Sequence, residues 1–389
     1  MRKHLASMLA IAGALAIAGM PARSAELLVG EIHPITGPAS FYGAPMSNAI
    51  KLAIKEINDA GGIKAGGESY TLTLLSGDDQ GNPTIGVAAL RKVIGDGAKY
   101  IFGTLASGVA PALKPVMDAN PGVTQIVDGT LAPGIVNGKN IFRNQTTQLG
   151  YDAPIVDLVK FKKYKTAAIM TDRFHSGNMG NEQKIVDAMT ANGAEVVARE
   201  YLKLNDTDFS AQLTNIAAKK PDAIILRTYP NEAALITKQS RQLGYEGQII
   251  WNALAPPATV LKNISDAEMD GILNGYAPEI SDYVALGQDK AIKMAEAYKA
   301  MFNAEPGELS ALSYDAVYIL KAAIEKADSV ENEKVNVALQ QLKVADIPQI
   351  VNPYEAHPDG RLFDDQGEVI FSGTPHIWKD GRWHPYPMQ

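Results

Sequence analysis

Six short segments of this 389-residue sequence hold most of the side chains able to make specific contacts: 33–43 (HPITGPASFYG), 103–108 (GTLASG), 128–130 (DGT), 172–177 (DRFHSG), 227–229 (RTY) and 251–253 (WNA). Arg227 is suited to a two-pronged grip on a carboxylate, and His175 supplies a second polar group in a neighbouring loop. Ser107 opens a helix, where it either caps free N–H groups or donates to a carboxylate. Phe41 and Tyr42 form a flat apolar wall beside a Pro- and Gly-fixed loop whose helix N-terminus can hold an anion. Phe174, Tyr229 and Trp251 offer further aromatic faces. This is the chemistry of recognition.

Reaction chemistry is not assembled. A hydrolase would need Ser107 or Ser176 with His175 and a third, orienting group. Ser176 adjoins His175, and sequence neighbours rarely present both side chains to one reacting atom. Asp78 and Asp79 are adjacent on an extended chain and point to opposite faces, so they read as loop or cap residues. His357, His376 and His384 match no compact metal motif and read as surface residues. Asn205-Asp206-Thr207-Asp208 lacks the glycine and distal glutamate of a calcium loop and reads as a helix start. The sequence holds no Gly-x-Ser-x-Gly elbow, phosphate-loop lysine or dinucleotide fingerprint. No enzymatic activity, cofactor or metal is expected. With a net charge of −7 and scattered Lys and Arg, nucleic acid is not expected as a partner. Without cysteine, there is no disulfide, thiolate or N-terminal lipid attachment.

The elements that must position these segments alternate. Strands are expected at 27–32, 70–75, 100–102 and 123–127, with helices at 43–60, 83–95 and 111–119 between them. Ala49, Leu52, Ala53, Ile57 and Ala60 share one helical face, and Gly61-Gly62 ends that helix. A second series follows: helix 149–163, strand 166–170, helix 177–192, strand 195–201, helix 210–219, strand 222–226, helix 231–243 and strand 248–251. Long helices at 287–304, 310–326 and 333–342 and a β-rich tail over 348–383 close the chain. Alternation predicts an α/β fold with parallel sheets covered on both faces, and two series predict two doubly wound lobes. Such sheets bind ligands beyond the carboxyl ends of their strands, where all six segments lie.

The N-terminus decides the compartment. Arg2-Lys3-His4, an apolar run from Leu5 to about Met20, and small residues Ala22 and Ser24 predict a signal peptide over 1–24. The run is too short to anchor comfortably in a bilayer. A periplasmic, monomeric protein without stable membrane insertion is expected. The remaining chain, about 365 residues, exceeds one core.

Thr36-Gly37-Pro38, Glu56-Ile57-Asn58-Asp59-Ala60-Gly61-Gly62-Ile63, Asp78-Asp79 with Pro83, Gly103 to Ser107 and Phe142-Arg143 occur in an order and spacing that resemble the Leu/Ile/Val-binding branch of the type I periplasmic binding proteins. The resemblance covers essentially the whole mature chain. It implies two lobes joined by three crossovers, closing like a hinge on a small-molecule ligand for the permease subunits of an ABC transporter. It divides the chain into lobe 1 (26–145 and 276–350) and lobe 2 (146–275 and 351–389). By the same resemblance Tyr42 is an aromatic wall, Ser107 a carboxylate-binding serine, Gly129 and Thr130 the donors beside it, and Tyr229 a second-lobe aromatic. Ser176 stands where the family has a tyrosine, Ala253 where amino-acid binders place an acid, and Gly81 and Ala106 where some members have cysteines. Neither Arg227 nor His175 offers an acid for an ammonium. An organic acid without an α-amino group, aromatic acids included, is therefore the expected ligand, packed against Phe41, Tyr42, Phe174, Tyr229 and Trp251. The alternatives are an amino acid, with Arg227 held in a structural ion pair, and a ligand sensor for a membrane receptor.

Overall fold

The computed structural model describes residues 24–388 apart from Leu254, Pro256, Ala277 to Glu279 and Ser372; the expected signal peptide lies outside the described residues except for Ser24. No described helix is long and apolar enough to cross a membrane.

The first lobe is built on six strands: β1 (Ala25–His33), β2 (Ile63–Ala65), β3 (Glu68–Asp78), β4 (Tyr100–Gly103), β5 (Thr124–Val127) and β6 (Ile141–Arg143). They run in the order β2-β3-β1-β4-β5-β6, parallel except for the β2–β3 hairpin. Helices α1 (Ser40–Asp59), α2 (Pro83–Gly95) and α3 (Ala110–Asp118) connect them. Along α1 the expected face buries Ala49, Leu52, Ala53 and Ile57, while Ala60 lies just past the helix and is exposed. Gly61 and Gly62 follow at φ +94° and +76°, a region open to glycine, and Gly62 N–H closes the helix end on Ile57 O at 2.9 Å. Asn82 caps α2 by accepting from Thr84 and Ile85 N–H, with Pro83 in the first turn.

The second lobe runs through α4 (Gln148–Phe161), β7 (Thr166–Asp172), α5 (Ser176–Ala191), β8 (Glu195–Leu202), α6 (Ser210–Ala217), β9 (Ala223–Arg227), α7 (Pro230–Gln242), β10 (Gln248–Trp251), the short α8 (Pro257–Val260) and α9 (Asp266–Met269), and β11 (Leu273–Tyr276). The chain then returns to the first lobe with α10 (Ile280–Ala285), α11 (Asp289–Phe302), α12 (Ser310–Ala327) and α13 (Asn332–Gln340), of which α12 packs along α1. Finally β12 (Thr374–Lys379) and β13 (Arg382–Pro385) add antiparallel strands beside β11, giving the order β13-β12-β11-β10-β9-β7-β8.

The tail departs from expectation. Val351, Tyr354, Leu362, Phe363, Val369 and Phe371 pack in the same hydrophobic cluster as α1 and α12. Asp315 of α12 accepts from Val351 N–H at 2.7 Å and Asn352 N–H at 2.9 Å, tying this stretch to the first lobe. Only the chain from about residue 373 serves the second lobe, so the boundary expected at 351 shifts towards the C-terminus. The chain thus passes between lobes after Arg143, after Tyr276 and between Phe371 and Thr374. His376 is not a surface residue: it is buried on β12 and faces Asp282 of α10, with Nε2 3.3 Å from the carboxylate.

Candidate functional site

The carboxyl ends of both sheets face a cavity of about 130 Å³. That is of the order of the ~150 Å³ apolar cavity that accepts a benzene, so the space suits one small organic molecule. The first-lobe wall comes from the turns after β1, β4 and β5: Phe41, Tyr42, Leu105, Ala106, Ser107, Gly129 and Leu131 line it. The rings of Phe41 and Tyr42 lie 4.1 Å apart, with Tyr42 buried and Phe41 at the exposed rim. Ser107 Oγ accepts from Leu131 N–H at 3.1 Å and from the Thr130 hydroxyl at 3.2 Å. Both contacts use oxygen lone pairs, which leaves the serine proton to be donated into the cavity.

A buried polar scaffold fixes this wall from behind. His33 Nε2 lies 3.0 Å from Asp128 Oδ1, and His33 Nδ1 lies 3.4 Å from Glu31 Oε2. Ser313 on α12 donates to Asp128 Oδ2 at 2.5 Å, while Ser47 and Ser76 donate to Glu31. Burial opposes charge on His33, but Asp128 and Glu31 more than offset it and raise the imidazole to about 10. Arg143, at the end of β6, donates from Nη1 to Thr130 O and Ala132 O at 3.0 Å each and pairs with Glu368. It holds in place the loop that carries Gly129 and Thr130.

On the second-lobe wall stand Phe174, His175, Thr228, Tyr229, Asn231, Glu232, Asn252, Ala253 and Tyr276. His175 Nδ1 accepts from Asn178 N–H at 3.1 Å and so caps α5; the neutral ring carries its proton on Nε2. Burial, with help from the charge of Arg227, lowers this histidine to about 4. At neutral pH it is an uncharged donor and gives an anion no counter-charge.

Glu232 changes the electrostatics. It sits in the first turn of α7, buried, with Oε1 accepting from Asn205 N–H at 2.9 Å and Oε2 without a partner. Burial raises its carboxyl from its ordinary value. Asp172 behind it also keeps a buried, unpartnered oxygen, and burial, reinforced by Glu232 and Asp206, pushes it up to about 6. Among the described residues lining the cavity there is no lysine or arginine. Glu232 is the acidic side chain in that described lining.

Of the residues expected at the site, Phe41, Tyr42, Ser107, Gly129, Phe174, His175, Tyr229 and Ala253 line the cavity, and the others have different work. Thr130 is buried behind Ser107. Ser176 donates from Oγ to Ser107 O at 2.6 Å, joining the lobes. Trp251 is no ligand wall: it is fully buried, donates from Nε1 to Thr237 Oγ1 at 2.9 Å and packs on Trp383. Strand alternation turns Trp251 into the core and its successor Asn252 toward the cleft. Arg227 is no free carboxylate clamp. Its Nη2 contacts both Asp152 oxygens at 2.9 and 3.1 Å, and its Nη1 donates to Asn178 O. The sequence places no acid at Arg227, His175 or Ala253; Glu232, from the first turn of α7, brings a carboxyl group to the cavity lining instead.

A profile of the periplasmic binding protein family matches residues 26–365. The chain is 31% identical to the Leu/Ile/Val-binding protein BraC3 of Rhizobium johnstonii over 345 residues, covering 84% of this chain and 87% of that one. The leucine binding protein LivK of Thermotoga maritima has a similar structure, with a TM-score of 0.79 at 25% identity over 93% of this chain and 98% of that chain. A solute binding protein from R. palustris solved in complex with benzoate shares the fold, at TM-score 0.72 and 19% identity over 92% and 95% of the two chains. Two mostly parallel sheets facing a small cleft, three passages between lobes and a family match over most of the chain agree: the chain belongs to the type I periplasmic binding proteins, on the branch of the Leu/Ile/Val-binding proteins.

Proposed function

We propose that this protein captures a small apolar α-amino acid between its lobes, outside the cytoplasmic membrane, and presents it to the permease of an ABC importer. The observation that carries this reading is Glu232, the acidic side chain of a cavity whose described lining holds no lysine or arginine. A zwitterion supplies the missing cation through its ammonium, while its carboxylate meets the Ser107 hydroxyl on the opposite lobe. A plain carboxylic acid would bring a second negative charge into a desolvated cleft with nothing to neutralise it. The names of the matched relatives, Leu/Ile/Val-binding and leucine binding, point the same way.

A second reading is an aromatic carboxylic acid, for which the rings of Phe41, Tyr42, Phe174 and Tyr229 would be stacking partners. It requires Glu232 to be protonated in the complex. Calorimetry at neutral pH with leucine, valine, phenylalanine, benzoate and 4-methyl-2-oxopentanoate separates the two. One-to-one binding of an amino acid supports the first; heat from benzoate or the keto acid with silent amino acids overturns it.

A further inference from the structure

Along the edge of the ligand cavity, where Leu131 and Phe174 also line it, the lobes meet at a seam where glycines face bulk. Gly177 and Gly180 lie in the first turns of α5 on the second lobe, and Gly108 lies before α3 on the first. A Cβ added to Gly180 would stand 2.9 Å from Cγ of Pro133; one on Gly177 would stand 2.8 Å from Cβ of Leu131 and 2.9 Å from its carbonyl oxygen. One on Gly108 would stand 2.8 Å from Cζ of Phe174. Each glycine is thus pressed by a residue of the opposite lobe, and the hydrogen bond from Ser176 to Ser107 O crosses the same seam.

Backbone conformation does not demand these glycines, since none has a positive φ. Secondary structure disfavours two of them, because glycine inside a helix is poorer than alanine. At Gly180 the atoms within 4 Å of an added methyl, beyond the backbone of α5 itself, all belong to Pro133. What glycine supplies there is clearance between lobes. The Pro133 ring can yield only by changing pucker or by moving its own backbone, so a methyl at 180 presses against the facing lobe, and opening the seam is one way for 2.9 Å to relax towards an ordinary contact of 3.4 Å or more.

We propose that Gly108, Gly177 and Gly180 form a closure seam that sets how deeply the lobes come together, and so how tightly the cleft holds its ligand, without touching that ligand. The proposal rests on the reading of the cleft as a capture site that works by closure.

The test uses Gly180→Ala, Pro133→Ala and the double variant of the full mature chain. Because the protein has no cysteine, Ala119→Cys on the first lobe and Lys184→Cys on the second, both exposed, give a clean spin-label pair for interlobe distances. Leucine is the probe ligand. Gly180→Ala should raise or preserve the thermal midpoint, as expected of Ala in a helix, yet weaken leucine binding about tenfold and lengthen the leucine-bound distance. Adding Pro133→Ala should restore both affinity and distance. The seam is overturned if Gly180→Ala closes to the wild-type distance with wild-type affinity, or if Pro133→Ala leaves its defect uncorrected. Should leucine fail to bind the wild type, the amino-acid reading falls and the seam is judged on ligand-free distances. There Gly180→Ala must lose the shortest-distance population and the double variant regain it; identical distributions overturn it.

Discussion

Replacing Glu232 with glutamine isolates the charge on which the ligand reading turns. The amide keeps the size of the side chain, and its oxygen can still accept from Asn205 N–H, now at 2.9 Å, so the loop after β8 should stay in place. Lost is the negative charge at the buried Oε2, the atom left without a partner. Breaking a desolvated, hydrogen-bonded charge pair by removing one member costs about 2–5 kcal/mol. Because glutamine retains a polar contact, the lower part of that range applies: about 2–3 kcal/mol, or roughly 30- to 150-fold in Kd. Titration calorimetry with leucine at neutral pH reads this directly. The control is 4-methyl-2-oxopentanoate, which matches leucine in shape and lacks the amino group; its binding should improve or stay unchanged in Glu232→Gln. Equal leucine affinity in wild type and variant would refute the reasoning, because the carboxylate would then not be meeting an ammonium.

Arg227→Met leaves Asp152 buried without its partner and should cost about 3–5 kcal/mol of unfolding free energy, measured in urea. The folded variant should keep leucine affinity within about threefold, less than 1 kcal/mol, as a structural role requires. The raised His33 gives a pH signature. Its proton is held more tightly in the folded state, so its contribution is complete below the ordinary value of 6.5 and fades as pH rises towards about 10. Urea midpoints should fall across that window, and His33→Gln should flatten the slope. Mass spectrometry of the exported protein should find Ala25 as the first residue if the leader ends at Ser24; an intact N-terminus would remove the signal-peptide reading.

Much of the architecture is visible in the sequence because two doubly wound sheets write a strict alternation along the chain, and their strand ends lead to the cavity. Phe41, Tyr42, Ser107 and Tyr229, which follow those ends, do line it. What escaped depends on long-range partners. Arg227 looks like a ligand clamp until α4 brings Asp152 against it, 75 positions away, a pairing without a local signal. Trp251 ends its strand as a ligand wall would, but the strand's phase sends it into the core against Trp383. Glu232 looked ordinary, because an acid in the first turn of a helix is commonplace compensation for the helix dipole. Only the fold reveals that this one is buried at the cleft. The tail over 351–371 reads as β-rich, whereas its apolar residues are spaced among turns and drape over the first lobe.

The central claim is that the cleft holds a small apolar amino acid by its two charges. Its most direct test is to purify the protein natively from periplasm, release the bound molecule by denaturation and identify it by mass spectrometry. The account predicts an apolar α-amino acid at close to one molecule per chain. An aromatic or aliphatic acid without an amino group, recovered in that same proportion, would contradict it.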